Sequence, residues 1–261
     1  MTIPFYQVDA FTKEVFHGNP AAVCLLDAWP GDDTLQAVAA ENNLSETAFL
    51  VPLARGRYAL RWFTPALEVD LCGHATLASA FVVFSFVDGG LSVVEFETSS
   101  GLLTVSKEDD LLWMDFPARR PEPYPESAAL AAALGARPRE VLKSRDLMAV
   151  FDEEGRIRDM TPDFEALKGI RDAFAVIVTA PGRDCDFVSR FFAPNAGVPE
   201  DPVTGSSHST LIPYWAGVLG RKRLHARQLS RRGGELFCED GGDRVRIGGH
   251  AVLYARGELC L

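Results

Sequence analysis

No two cysteines of this chain stand in a Cys-x-x-Cys spacing: Cys24, Cys72, Cys185, Cys238 and Cys260 are odd in number and scattered over 261 residues. Such usage argues against a structural zinc site and a disulfide framework, and fits a reduced, cytoplasmic setting without a metal. Basic charge is scarce as well. Lys and Arg number 26 against 36 Asp and Glu, for a formal charge of −10, and the pI lies near 5.0. A nucleic-acid or anionic-membrane surface would demand clustered cations, so neither partner is expected. The one basic cluster, Arg221-Lys222-Arg223, is short and reads as a solvated loop. Long hydrophobic runs are missing too. The longest, Ala75 to Val87, is too short to span a bilayer and is interrupted by Thr76, Ser79 and Ser85. The chain does not open on a charged n-region followed by an apolar h-region, so no export is expected. Gly-x-Ser-x-Gly elbows and phosphate loops are absent, which leaves serine nucleophiles and nucleotide binding without support.

What the chain has is a repetition. Arg61-Trp62-Phe63-Thr64-Pro65-Ala66, followed by Asp70 and Gly73-His74, recurs as Arg190-Phe191-Phe192-Ala193-Pro194-Asn195, followed by Asp201 and Gly205-Ser206. The arginines are 129 residues apart and the glycines 132, so each copy occupies about half of the chain. A duplicated fold is the simplest reading. In each copy a strand-like aromatic run ends at proline, an acidic residue follows, and a glycine opens an apolar stretch of helical length. Two helix N-termini are therefore predicted. If the halves face each other, these ends converge on one cleft and offer backbone N–H groups and positive dipole ends to an anion. With 47% hydrophobic residues, the chain can bury two ordinary cores.

Periodicity predicts strands at Ile3 to Val8 and Ala21 to Leu26, separated by the turn His17-Gly18-Asn19-Pro20. A helix capped by Asp32 or Asp33 follows, with Leu35, Val38 and Ala39 on its apolar face and an end at Asn42-Asn43. Ser45 to Val51 then reads as a strand entered directly from that end, which puts Glu46 at a mouth. Tyr58 to Phe63 alternates as a strand, Ala75 to Val87 is a helix wrapped by sheet, and Ser92 to Thr98, Leu102 to Lys107 and Leu111 to Phe116 form a meander. Pro117 to Pro125 is the linker candidate, dividing a lobe 1–117 from a lobe 118–261 whose final strands are free to cross to the first. The second half repeats the plan: a helix at Glu126 to Leu134, strands at Asp172 to Thr179 and Asp186 to Phe192, a helix at Ser206 to Leu219, and strands at Arg223 to Ser230, Glu235 to Cys238, Arg244 to Ile247 and Ala251 to Ala255.

Two motifs carry chemistry. In Leu71-Cys72-Gly73-His74-Ala75-Thr76 a glycine before a buried helix lets a ligand approach the backbone, and His74 exchanges protons near neutral pH; its bland counterpart is a histidine that merely caps the helix. In Glu200-Asp201-Pro202-Val203-Thr204-Gly205-Ser206-Ser207-His208, Asp201 can hold an amine or hydroxyl, and Gly205 and Ser206 present N–H groups and a hydroxyl; the counterpart is an Asx-type turn followed by a serine cap. His208, inside the first helical turn, is the weaker of the two histidines and is expected either to be structural or to support the site residues from behind.

The strings Asp9-Ala10-Phe11-Thr12, Gly18-Asn19-Pro20-Ala21-Ala22-Val23, Ser45-Glu46-Thr47-Ala48-Phe49, Arg61-Trp62-Phe63-Thr64-Pro65 and Cys72-Gly73-His74-Ala75-Thr76, with Glu200 to Ser206, resemble the phenazine-biosynthesis PhzF-like isomerases. The resemblance implies an α+β, diaminopimelate-epimerase-like fold: two pseudo-symmetric lobes, each a barrel-like, mostly antiparallel sheet around a central apolar helix, with the active site between them. It implies catalysis without a cofactor, commonly in a homodimer. It makes Glu46 the proton-shuttling acid/base, with His74, Asp201 and Ser206 lining the site and Gly73, Gly205, Asn19 and Ala75 binding substrate. One carboxyl group that takes a proton from carbon and returns it elsewhere on the same face performs an isomerisation, here of a small carboxylate-bearing, cyclic or unsaturated metabolite.

Two other readings stay open. Related two-thiol epimerases place a cysteine at each helix end, whereas here the corresponding positions hold Cys72 and Thr204; an epimerase would have to pair Cys72 with another group, and the bland reading of Cys72 is a small buried hydrophobe. The last is a binding or scaffold protein that keeps the fold without its chemistry. Ser207 stands where many relatives carry Ala, which leaves the substrate unspecified.

Overall fold

The computed structural model describes residues 2–125 and 128–261. The chain forms two compact units, one of residues 1–115 with 248–261 and one of residues 116–247. Among the described residues no helix is long and apolar enough to cross a membrane.

The first unit holds β1 (Thr2–Ala10), β2 (Asn19–Leu25), α1 (Asp32–Asn42), β3 (Glu46–Ala54), β4 (Arg57–Phe63), the short β5 (Glu68–Val69), α2 (Gly73–Val82), β6 (Val93–Thr98), β7 (Gly101–Glu108) and β8 (Leu111–Pro117). In the second unit are β9 (Glu122–Pro123), α3 (Ala128–Leu134), β10 (Glu140–Lys143), β11 (Leu147–Val150), α4 (Glu154–Arg158), α5 (Phe164–Lys168), β12 (Val176–Pro181), β13 (Phe187–Phe192), α6 (His208–Leu219), β14 (Arg223–Gln228), β15 (Gly234–Asp240) and β16 (Arg244–Gly249). The last strand, β17 (Ala251–Cys260), lies antiparallel to β1 in the first unit.

Strand pairing follows one scheme in both units. In the first, β17–β1 and β1–β2 are antiparallel, β2–β3 parallel, β3–β4 antiparallel, β4–β6 parallel and β6–β7 antiparallel. In the second, β9–β10 and β10–β11 are antiparallel, β11–β12 parallel, β12–β13 antiparallel, β13–β14 parallel and β14–β15 antiparallel.

The helix α2 is buried along nearly its whole length and packs on β1, β2, β3 and β17. Its two hydroxyls are tolerated there because Thr76 Oγ1 donates to the Cys72 carbonyl at 2.6 Å and Ser79 Oγ to that of Ala75 at 2.7 Å. A core of Ile3, Leu26, Leu35, Val38, Phe49 and Phe63 sits under α1. In the second unit Leu134, Ala149, Phe151, Val178 and Phe192 pack around Ile157 and Leu167.

Several boundaries differ from expectation, each for a local reason. Gly31, not an aspartate, occupies the N-cap of α1; Asp32 and Asp33 fall in its first turn, where they still oppose the positive dipole end. The helix predicted over Ala75 to Val87 begins at Gly73 and gives way after Val82 to a π-turn over Val83–Val87. The strand predicted from Asp172 starts only at Val176, where β11 becomes available as a parallel partner. For the alanine-rich helix, Glu126 and Ser127 lie outside the described residues and the helix runs over Ala128–Leu134. Finally, α6 begins at His208, because Ser206 and Ser207 are consumed in a turn closed by the Ser207 hydroxyl on the Thr204 carbonyl at 2.8 Å.

Candidate active site

Parallel pairing of β2 with β3 sets Ala21 opposite Glu46 and so brings the start of both strands to one place. Just before β2 the chain turns through Gly18 at φ +65°, where a Cβ would meet the Ala10 carbonyl oxygen at 2.1 Å, so only glycine allows the turn that delivers Asn19. Glu46 is the first residue of β3, its side chain 19% exposed. Gly73, His74 and Ala75 form the first turn of α2, behind an N-cap residue, Cys72, that makes no side-chain cap hydrogen bond. Their N–H groups have no carbonyl four residues back within the helix, the ladder starting with Thr76 N–H on Cys72 O at 3.2 Å.

The imidazole of His74 is the hub. Its Nε2 lies 3.1 Å from Glu46 Oε2, close but without the alignment of a formed hydrogen bond. On the opposite side of the ring, Nδ1 lies 3.1 Å from the terminal amide of Asn19 and 3.5 Å from Cys72 Sγ. Burial, the strongest single influence, favours the neutral ring, yet interactions with Cys72 and Glu46 together outweigh it and hold His74 well above the usual histidine value. Burial pushes the Cys72 thiol up to about 11. Donor atoms of Glu46, Cys72 and His74 lie within 4.8 Å of one another, a set that would suit a divalent ion by ligand type. Glu46 lies at one ring nitrogen and Cys72 at the other.

In the second unit, Asp201, Thr204, Gly205 and Ser206 occupy the loop that leads into α6. Thr204 Oγ1 donates to Asp201 Oδ2, and the loop is held by Gln228 at the end of β14: Gln228 Oε1 accepts from Thr204 N–H at 2.9 Å, and Nε2 donates to the Asp201 carbonyl at 2.8 Å. Gln228 is fully buried. It was not among the candidate residues, although alternation along β14 puts it on the buried face of Leu224 and Ala226. The His208 Nδ1 faces the Thr204 carbonyl at 2.9 Å, and burial lowers this histidine to about 4, so it is a neutral structural donor.

Each repeated arginine has an identical duty. Arg61 grips Glu68 with Nε–Oε1 and Nη2–Oε2 distances of 2.7 Å each, and Arg190 grips Glu200 at 2.6 and 2.9 Å. Each guanidinium also lies over the phenylalanine two residues on, 5.1 Å from the Phe63 ring and 5.0 Å from that of Phe192. The forks tether the acidic loops that precede the two helices.

Comparison with known proteins agrees with this architecture. A family profile described as "Phenazine biosynthesis-like protein", PhzC-PhzF, matches residues 8–257. An uncharacterized isomerase of Pseudomonas aeruginosa is 54% identical over 261 residues, covering 100% of both chains. The crystal structure of a PhzF family protein from Enterococcus faecalis superposes with a TM-score of 0.98 at 49% identity, again over 100% of both chains. A hydroxyproline epimerase from Agrobacterium vitis, at 14% identity and a TM-score of 0.62 over 99% of this chain and 92% of its own, shares the fold alone. With an α+β fold common to PhzF proteins and epimerases, and a match over nearly its whole length, the chain belongs to the PhzC-PhzF phenazine biosynthesis-like family.

Proposed function

We propose that the protein is an isomerase that moves a proton within a small carboxylate-bearing metabolite, with Glu46 as the acid/base. The observation that carries the reading is the Glu46 carboxylate 3.1 Å from the imidazole of His74, both at the N-terminal end of a buried helix. His74 Nε2–H faces Oε2 and leaves Oε1 to take the proton. Glu46 removes a proton from an acidic carbon, the electron pair moves into the conjugated system, and the same carboxyl group returns the proton to another carbon on the same face, so no hydrogen is exchanged for a second group and no co-reactant is consumed. The relatives' naming as isomerases supports the reaction class.

Asn19, Gly73, Ala75 and Gly205 are the proposed substrate-binding set. The amides at the start of α2 suit a carboxylate. Asp201 and Ser206, on the loop fastened by Gln228, are proposed to hold substrate polar groups. The homodimer that the resemblance implies belongs to the same proposal, and sedimentation velocity tests it. An epimerase based on Cys72 is less favoured, because a thiol pushed up to about 11 is almost wholly protonated at neutral pH.

The test is isotope exchange. A panel of cyclic and unsaturated carboxylates incubated with the protein in deuterium oxide should include one that gains deuterium at carbon. Glu46→Gln should slow that gain roughly a hundred-fold or more while binding, followed by calorimetry, persists. Exchange unaffected by the substitution refutes the assignment of the base; a panel with binding but no exchange in the unaltered protein favours a silent binding protein.

A further inference from the structure

Asn19 is fully buried, and its amide contacts a ring that is itself only 5% exposed. A buried imidazole that gains and loses a proton in place needs an Nδ1 partner able to donate when the nitrogen is bare and to accept when it carries hydrogen. Among neutral side chains an amide does both with one terminal group, by turning half a revolution. With Asn19 Nδ2–H on Nδ1, the ring is neutral, its proton lies on Nε2 against Glu46, and the Glu46–His74 pair holds one proton. Once the imidazole itself takes a second proton, Nδ1 carries hydrogen and only Asn19 Oδ1 serves it well. Cys72 Sγ, at 3.5 Å, is a weak donor and a weak acceptor.

We propose that Asn19 is a positioning residue that acts through His74, turning its amide with the protonation state of the imidazole, and so lets the ring beside Glu46 gain and lose a proton without an unpartnered buried nitrogen. This rests on the reading of Glu46 and His74 as the acid/base pair. The groups that face the ring are Glu46 from β3, Cys72 from the N-cap of α2 and Asn19 from β2. Asp9 of β1, also buried, is committed to the Phe16 N–H at 2.9 Å.

The experiment is nitrogen NMR of the imidazole rings across the stable pH range in the unaltered protein, Asn19→Asp and Asn19→Leu, with His74 identified among five histidines by its loss in His74→Gln. In the unaltered protein the neutral ring should carry its proton on Nε2. Asn19→Asp, which can only accept when ionised, should raise the His74 midpoint by roughly 1–3 pH units, and Asn19→Leu, which can do neither, should lower it by about one. The pH profile of isotope exchange should move with these midpoints. Equal midpoints in all three proteins, or a proton on Nδ1 of the neutral ring in the unaltered protein, overturn the proposal, the second without any variant having to fold. The spectra need no substrate, so an absence of isotope exchange would refute the proposed function while the tautomer result still decides the role of Asn19.

Discussion

Replacing Arg190 by leucine should destabilise the protein far more than the same change at Arg61, although both arginines make the same fork. The Arg190 side chain is 10% exposed and that of Glu200 21%, whereas Arg61 and Glu68 stand at 26% and 40%. Arg190 Nη1 also donates to the carbonyls of Ile157 at 3.1 Å and Met160 at 2.6 Å. Leucine at 190 strands a half-buried carboxylate and two carbonyls; losses of this kind run to roughly 3–5 kcal/mol, and the residual access of Glu200 to water argues for the lower figure, about 3 kcal/mol. At Arg61 the partners regain water on release, so about 1 kcal/mol or less is expected. Equilibrium unfolding in urea, followed by tryptophan fluorescence, measures both. The pair Arg190→Leu with Glu200→Leu should recover part of the loss, because no charge is then left unpartnered. Equal costs at the two arginines, or a double variant no more stable than Arg190→Leu alone, would show that burial of the fork is not what decides its worth.

Cys72→Ser should leave isotope exchange nearly unchanged, and iodoacetamide should label Cys72 slowly at neutral pH and faster as the pH rises toward about 11, as read by mass spectrometry. Histidine 208 is lowered from 6.5 to about 4 in the folded chain, so the unfolded chain binds more protons between those values and stability should fall by about 3 kcal/mol as the pH drops through that window. His208→Asn, which keeps a donor for the Thr204 carbonyl, should flatten this decline in pH-dependent urea titrations. For His74 the sign reverses: its folded value is raised, so its contribution is full below the ordinary histidine value and is lost as the pH climbs through the raised one.

Much of this was legible in the chain itself, and the reason is period. Alternation in Tyr58 to Phe63 and in Leu111 to Phe116, and the unbroken apolar character of the stretch after Gly73, reflect burial on faces that repeat every two or 3.6 residues. The repeated Arg-x-Phe pattern pointed to duplication, and the structure adds what it does: in each copy the guanidinium stacks on the ring two residues ahead in the same strand. The four-residue strands β10 and β11 escaped notice; split by Ser144-Arg145-Asp146, they are too short to show a period and exist through their pairing with each other and with β12.

Contacts between distant residues belong to the tertiary structure. Asn19 and His74 are 55 positions apart, and only the parallel register of β2 on β3, together with α2 packed on both, sets an amide against one ring nitrogen and a carboxylate against the other. The Gly73-His74 motif singled out His74, whereas Glu46 was named as a chemistry-bearing group only through the resemblance to a family; whether the ring partners Glu46, Cys72 or both, and through which nitrogen, depends on distances of 3.1 to 3.5 Å that no local pattern encodes. The same holds for Gln228, whose buried face the strand pattern implied but whose hold on the Asp201 loop required β14 and that loop to be folded together.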